Sequence, residues 1–420
     1  MINSSSPSVG IDPSSIRPKV VYLSSAGLLE PLGQSQVLSY LRGLSKDFEI
    51  IVFSREKTYQ FDSKDLVADL YFECAKFGID WRPKIFRNRP RLIAPFIETF
   101  SLVFEVVRLV KRERVAFVHA RSYFPAAVAW IVWRLTGTQF LFDMRGLWPE
   151  ERITAGSMKR GSLVHRVVTA MESACLRDAA AIVSLTHAAA TYLQERHNEE
   201  IGSKPLVIIP TCADLDRFSP SSTSARARSI HGCIGTITSG WFRIDWLAAW
   251  FAAVAADDSE ALFEIVTRDD PARVRAAVDP KGCIGERLAV FARRPAEMPE
   301  TVRAHKTSAM FYAGGEISEI GRSPTRMAEV LGSGIPVIAN GGIGDVEKIL
   351  REHRVGVIVS DSGDDAMVAA LKELQELQRD PELASRCRTA AAEIFSLDRG
   401  TQIYRDLYRV IVEFGVAKSL

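Results

Sequence analysis

Gly321-Arg322-Ser323-Pro324-Thr325-Arg326-Met327-Ala328-Glu329-Val330-Leu331-Gly332-Ser333-Gly334-Ile335-Pro336-Val337-Ile338 reads in one line as a helix start, a helix, a helix stop and a strand. Ser323 suits an N-cap and Pro324 a first helical position, while Gly332 or Gly334 can close the helix before the strand. A helix feeding a short β-branched strand is half of the unit from which parallel sheets are built. The first turn offers free backbone N–H groups at the positive end of the helix dipole, Thr325 adds a hydroxyl, and Arg322 and Arg326 add fixed charge. Together these suit a phosphate or diphosphate. Glu329 lies one turn after Thr325 on the same side, where a carboxylate can hold ribose hydroxyls, while Met327, Val330 and Leu331 can face a core. A plain capped helix with solvated Arg326 and Glu329 accounts for the residues equally well.

Working outward, the same alternation fills the chain. Val20–Leu23, Ile50–Phe53, Phe117–His119, Phe140–Phe142, Ala181–Leu185 and Leu206–Pro210 read as strands, with a helix over Val37–Leu44. A second series comprises Cys233–Thr236, Leu262–Thr267, Ala309–Tyr312, Pro336–Ala339 and Gly356–Val359. Between the series, Pro210 to Ser224 is rich in Pro, Ser, Thr and Asp without apolar period. The expected organisation is a mobile leader over 1–18, an α/β domain over 19–210, a link over 211–224, a second α/β domain over 225–398 and a C-terminal helix over 399–420. Doubly wound sheets bind ligands beyond the carboxyl ends of their strands, so two such halves imply a site in the cleft between them.

Composition excludes other classes. The 420 residues exceed one compact core, and 53 Lys+Arg against 51 Asp+Glu is too balanced for a chain whose main partner is nucleic acid. Six cysteines without a CxxC pair indicate neither a zinc site nor a disulfide framework, which fits a reducing compartment. The N-terminus lacks a signal peptide's basic start and apolar run, and Leu92–Val110 and Phe124–Phe142 are interrupted by charges, so neither export nor a membrane span is expected.

Several strand-end loops carry chemistry. Ser24–Gln36 contains Gly27 and Gly33, which allow close backbone approach. Asp143-Met144-Arg145-Gly146-Leu147-Trp148-Pro149-Glu150 packs charges and a Trp into one loop, where Asp143 or Glu150 can bind sugar hydroxyls or act as a base and Arg145 can pair with a phosphate, or the acids and arginine can form a plain surface pair. His119 and Arg121 are similarly placed. In the second half, Ser239, Gly240 and Arg243 lie in a small-residue loop, and Arg268 can contact a diphosphate or ion-pair with Asp269 or Asp270. Arg82, Lys84, Arg87, Arg89 and Arg91 form a basic run beside Leu92-Ile93-Ala94-Pro95-Phe96, which can meet anionic lipid or a lipid-diphosphate acceptor or simply stay solvated.

These residues together resemble glycosyltransferase family 4, the retaining nucleotide-sugar enzymes. The marks are Ser323-Pro324-Thr325-Arg326 through Glu329 to Gly334-Ile335-Pro336-Val337-Ile338, the segment Ile209–Phe218, and Gly342-Ile343-Gly344-Asp345. Leu29–Gln36 and Asp143-Met144-Arg145-Gly146 look like the subset that assembles bacterial polysaccharides. The resemblance implies a GT-B fold, two Rossmann-like doubly wound domains facing a central cleft, with the C-terminal helix crossing back onto the first domain. It implies transfer from a UDP- or GDP-sugar to a glycan or lipid-linked acceptor, with no bound metal or cofactor and no nucleic acid partner. The place would be the cytoplasm, at the inner face of the plasma membrane where the chain makes peripheral contact. Arg326, with Asp143 and Arg145, takes the catalytic roles. Gly33, Ser239, Gly240, Arg243, Arg268, Arg322, Ser323, Pro324, Thr325 and Glu329 take the donor. Where family members carry two glutamates with seven residues between them, Glu329 fills the second place and Gly321 stands in the first, with Glu316 or Glu319 as nearby substitutes. That departure keeps open a catalytically silent subunit, and the fold also admits a nucleotide-sugar epimerase or hydrolase.

Overall fold

A computed structural model describes residues 17–86, 94–220 and 228–417. The leader up to residue 16, Arg87, Arg89 and Arg91 of the basic run, and residues 221–224 of the link therefore lie outside the described residues. Two wholly parallel sheets form. The first runs β3-β2-β1-β4-β5-β6-β7, built from Lys19–Ser24 (β1), Glu49–Lys57 (β2), Ile79–Phe86 (β3), Val115–Arg121 (β4), Phe140–Asp143 (β5), Ala181–Ser184 (β6) and Leu206–Ile208 (β7). The second runs β10-β9-β8-β11-β12-β13, from Ile230–Ile234 (β8), Leu262–Val266 (β9), Leu288–Phe291 (β10), His305–Met310 (β11), Val337–Asn340 (β12) and Gly356–Val359 (β13). In each, the chain starts in the middle, winds outward, then returns to wind the other way, which is the doubly wound order expected of two Rossmann-like domains. The switch points fall between β1 and β4 and between β8 and β11.

Apolar runs identify the central strands because both faces are covered; Val20, Val21, Leu23, Val118, Phe140, Phe142 and Ile182 are all buried. The strands that the apolar pattern misses are β3 and β10, both at sheet edges. β3 reads Ile-Asp-Trp-Arg-Pro-Lys-Ile-Phe, and charged residues and proline are what an edge strand tolerates. Arg82 and Lys84, expected in a loop, thus sit in that edge strand. The first helix also starts earlier than its apolar face suggests. Pro31–Gly33 opens it, Gln34–Leu38 widens into a π turn, and Ser39–Leu44 completes it. The π turn turns Gln36 inward, where its Nε2 donates to the carbonyl of Cys212 (2.9 Å).

The chain crosses between domains twice, side by side. Ala213 N–H donates to Phe395 O and Leu397 N–H donates to Ala213 O (2.9 and 3.1 Å). The Leu397–Ala417 helix then leaves the second sheet and buries Tyr404, Leu407, Tyr408 and Ile411 in the core of the first. Tyr408 meets the edges of Phe48 and Phe117 with ring centroids 5.1 and 4.8 Å apart. No helix among the described residues is long and apolar enough to cross a membrane.

Candidate functional site

The carboxyl ends of β8, β9 and β11 point at the same space as the start of the Thr325–Gly332 helix. Gly235, Thr236, Thr267, Arg268, Tyr312, Arg322, Ser323, Pro324, Thr325, Arg326 and Glu329 line one side of a cleft of about 570 Å³, and Glu30, Pro31, Leu32 and Ser35 from the first domain line the other. The helix of the opening stretch is present with one change at its start. Pro324, not Ser323, is the N-cap, and no side chain caps the first turn. Ser323 is occupied elsewhere: its Oγ accepts from Thr211 N–H (3.1 Å), and Thr211 Oγ1 donates to Ser323 O (2.6 Å). This segment is thereby tied to the interdomain crossing, and the first-turn N–H groups are left without a side-chain partner. At the other end, Gly334 takes φ +74°. Its N–H donates to Leu331 O, and Ile335 N–H to Val330 O, a Schellman stop.

Arg326 and Glu329 are not a solvated pair. Arg326 Nη1 bonds Glu329 Oε2, and Glu329 is buried. Burial opposes the charge on Arg326, but Glu329 outweighs it and raises the guanidinium pKa. Arg322 forms a fork on buried Glu319 and stacks between Trp241 and Tyr312 at 5.5 and 5.1 Å. Burial pushes the Tyr312 phenol up to about 12, which makes it a neutral donor at the cleft wall. Asp269 accepts from the N–H groups of Ile237 and Thr238, and Asp270 caps the next helix through Arg273 N–H. Arg268 therefore has neither acid as partner, and it faces the cleft with Arg293. Sequence reasoning passed over Arg293 because the edge strand that delivers it, β10, was itself missed. Among the described residues, no cluster of His, Cys, Asp and Glu has the geometry of a metal site.

Other expected site residues fall elsewhere. Ser239, Gly240 and Arg243 do not line the cleft; Arg243 forks onto Asp245 and stacks on Trp246. The wall there is made by Gly235 and Thr236 instead. Gly33 approaches backbone rather than ligand: a Cβ on it would lie 1.8 Å from Gly27 O. The loop it closes is held from below by Glu56, fully buried, whose carboxylate accepts from Leu28 N–H (2.7 Å), Leu29 N–H (3.1 Å) and Ser54 Oγ (2.5 Å). Those N–H groups already have an anion, so this loop does not offer them to a diphosphate. Gly33→Ala is expected to lower stability by about 1–3 kcal/mol through forced backbone movement. Urea unfolding reads this, and an unchanged midpoint would mean the loop yields freely.

Asp143, expected to meet substrate, is buried beneath the Leu397–Ala417 helix, and the Arg145 side chain beside it is 7% exposed. Asp143 Oδ2 accepts from Tyr404 OH (2.9 Å) and lies 3.4 Å from His119 Nε2, while Tyr408 OH lies 2.7 Å from His119 Nδ1. Arg145 Nη1 is 3.8 Å from Asp143 Oδ1. Burial works against the Asp143 charge, but Arg145, His119 and Arg121 hold the carboxyl below its ordinary value. Neither group reaches the cleft, because two tyrosines of the returning helix stand over them. Arg145 takes φ +56° and Ser122, at the end of the neighbouring strand, φ +80°, so the backbone is strained at both strand ends.

The place of the absent glutamate is filled by the first domain. A Cβ on Gly321 would lie 3.1 Å from Leu147 N and 3.4 Å from Gly146 Cα. Glu319 does not replace it, being fully buried on Arg322, and Glu316 is exposed. Nearby, the Asp345 carboxylate accepts from His187 and Ala188 N–H (2.7 and 3.0 Å), so one domain caps a helix of the other. Arg82 and Lys84 are spent on Asp80 and Glu105.

Two Rossmann-like sheets facing each other across one cleft, with the last helix returned to the first domain, define the GT-B architecture. More particularly, residues 37–212 match the glycosyl transferase 4-like domain. No curated protein matches the chain by sequence. Among solved structures, a glycosyltransferase from Rickettsia africae superposes with a TM-score of 0.68 at 15% identity, covering 94% of this chain and 99% of its own. Sucrose-phosphate synthase from Thermosynechococcus elongatus gives 0.67 at 15%, covering 94% and 98%. HepE from Anabaena, in complex with UDP and glucose, gives 0.67 at 13%, covering 93% and 99%. At such identities the likeness is one of fold.

Proposed function

We propose that the chain is a retaining glycosyltransferase that moves a sugar from a nucleoside diphosphate sugar to a glycan or lipid-linked acceptor in polysaccharide assembly, from the cytoplasmic side of a membrane. The observation that carries this reading is the convergence of an uncapped helix start, Thr325 and the cations Arg268, Arg293 and Arg326 on one interdomain cleft. A diphosphate placed there meets N–H donors at a helix N-terminus and fixed positive charge. As the sugar bond breaks, negative charge grows on the leaving diphosphate, and donors already aimed at it stabilise that change more than the ground state. Glu329, oriented by Arg326, stands where it can accept from ribose hydroxyls. HepE, which shares the fold, binds UDP; either UDP or GDP suits a site described by phosphate contacts alone.

A thermal-shift panel of UDP, GDP and their sugars tests the reading. Ligand at a hundred times its Kd adds about 2.7 kcal/mol to the native state. A rise with at least one nucleotide is expected, and no rise with any of them removes the reading. Retention is read from the anomeric configuration of the product. Gly321 favours a second reading, a GT-B subunit that binds nucleotide without transferring sugar. That subunit would show the thermal shift and no turnover with any acceptor.

A further inference from the structure

The helices Ala94–Arg112, Tyr123–Thr136 and Leu163–Asp178 cover one face of the first sheet, the outer two each packing on the middle one. The Ala94–Arg112 helix buries Val103, Val106 and Leu109 against that sheet. Its opposite stripe, at i, i+4 and i+8, carries Phe100, Phe104 and Arg108, with Phe100 71% and Phe104 68% exposed. The Leu163–Asp178 helix repeats the pattern at its start: Leu163, Val164 and Val167 are 77%, 62% and 58% exposed. Single exposed apolar residues are ordinary, but two phenylalanines on one solvent stripe and three aliphatics within one helical turn are not.

The charges around these side chains are one-sided. From Arg152 to Met171 the chain holds no Asp or Glu. Lys159, Arg166 and Arg108 are exposed and enter no ion pair among the described residues. The acids on the Ala94–Arg112 helix are neutralised, Glu98 by Arg55 and Glu105 by Lys84. Glu172 is buried and accepts from Tyr123 OH. Exposed apolar groups flanked by unopposed cations match an anionic bilayer surface, which takes up both at once: the apolar tips enter the headgroup boundary while the cations meet lipid phosphates. The Trp148–Thr154 helix that precedes Leu163–Asp178 packs on Ile317–Ile320 of the second domain, where Ser318 Oγ and Thr154 Oγ1 are 3.1 Å apart.

We infer that this face, through Phe100, Phe104, Leu163, Val164 and Val167 with Arg108, Lys159 and Arg166, docks the chain on an anionic lipid bilayer. The inference rests on the lipid-linked acceptor of the proposed function, since it holds the chain at the surface in which such a substrate resides.

The test is co-sedimentation of the full chain with vesicles of equal parts phosphatidylglycerol and phosphatidylcholine, against vesicles of phosphatidylcholine alone. Binding to the anionic vesicles that weakens with salt is expected. The double variants Phe100→Ser with Phe104→Ser and Lys159→Glu with Arg166→Glu should each weaken it about tenfold. Neither pair lies in the donor cleft, so both variants should keep the nucleotide-induced thermal shift, which separates failure here from failure of the donor assignment. Full chain that ignores anionic vesicles overturns the inference, as do variants that bind them undiminished. So does concentration-dependent self-association abolished by the same substitutions, which would make the face a contact between copies.

Discussion

Asp143→Ala is expected to cost the first domain about 3–5 kcal/mol of stability, the size found when one member of a buried charged pair is removed. The reason lies in what remains. Arg121 is buried and the Arg145 side chain is 7% exposed, and Asp143 is the carboxylate held down by both of them. Taking it away leaves two desolvated guanidinium groups without a counter-charge, and it strips Tyr404 OH and His119 of their acceptor. Asp143→Asn keeps an oxygen for Tyr404 but no charge for the arginines, so it should recover only part of the loss. The measurement is urea unfolding followed through the first domain's own transition, since two sheets need not unfold as one unit. A loss under about 1 kcal/mol, or Asn equal to the native residue, would show that the charge compensates nothing.

The same cluster sets an acid limit. Burial is the main cause that lowers the His119 pKa from 6.5, against the opposing pull of Asp143. The unfolded chain therefore takes up a proton near 6.5 that the folded chain resists, and stability falls as pH drops below that value. Asp143 acts in the same direction lower down: its folded pKa lies below 3.8, so its contribution is complete above 3.8 and is lost as pH falls through the folded value. Two successive losses on acidification are expected in a pH series of unfolding midpoints. In Asp143→Ala the lower one should be absent.

What the sequence revealed and what it hid follow one physical division. Val20–Leu23 and Val337–Ile338 were legible because a strand covered on both faces must be apolar throughout, and the Thr325–Gly332 helix because Pro324 and Gly334 mark its ends. β3 was not, because that edge carries Asp80, Arg82 and Lys84 where a central strand carries valine; β10, at four residues of Leu-Ala-Val-Phe, is apolar but short. The cleft itself was legible as strand ends plus a helix start. Which strand-end residues face it was not. Asp143 and Arg145 have the composition of a substrate loop, and only the return of Tyr404 and Tyr408 from the far end of the chain turns them into a buried pair. Gly33 looks like a ligand-facing glycine, yet its space is taken by Gly27 O. Glu56 left no motif at all: a lone acid in a strand becomes the loop's anchor only when Leu28 and Leu29 fold over it.

Arg326→Ala is expected to lower kcat/KM with the true donor by about a hundred- to a thousandfold, the loss seen when one preorganised donor to a developing anion is removed, about 3–4 kcal/mol. The cleft gives this residue more weight than Arg268 or Arg293. It belongs to the helix whose uncapped first turn would face the diphosphate of the proposed donor, and Glu329 fixes its guanidinium, so its fork would need little reorganisation when charge appears. Arg268 and Arg293 end separate strands, and either should cost less. Arg326→Lys keeps the charge but loses the planar fork and the Glu329 register, so it should fall between native and alanine. Glu329→Ala separates the two roles assigned to the pair. If Glu329 holds ribose, its loss should weaken nucleotide binding while a free diphosphate binds as before; if it only orients Arg326, both should weaken together. Isothermal titration with the nucleoside diphosphate and with inorganic diphosphate distinguishes these outcomes. Unchanged binding and turnover in Arg326→Ala would place the donor phosphates away from this helix, and the cleft assignment would go with them.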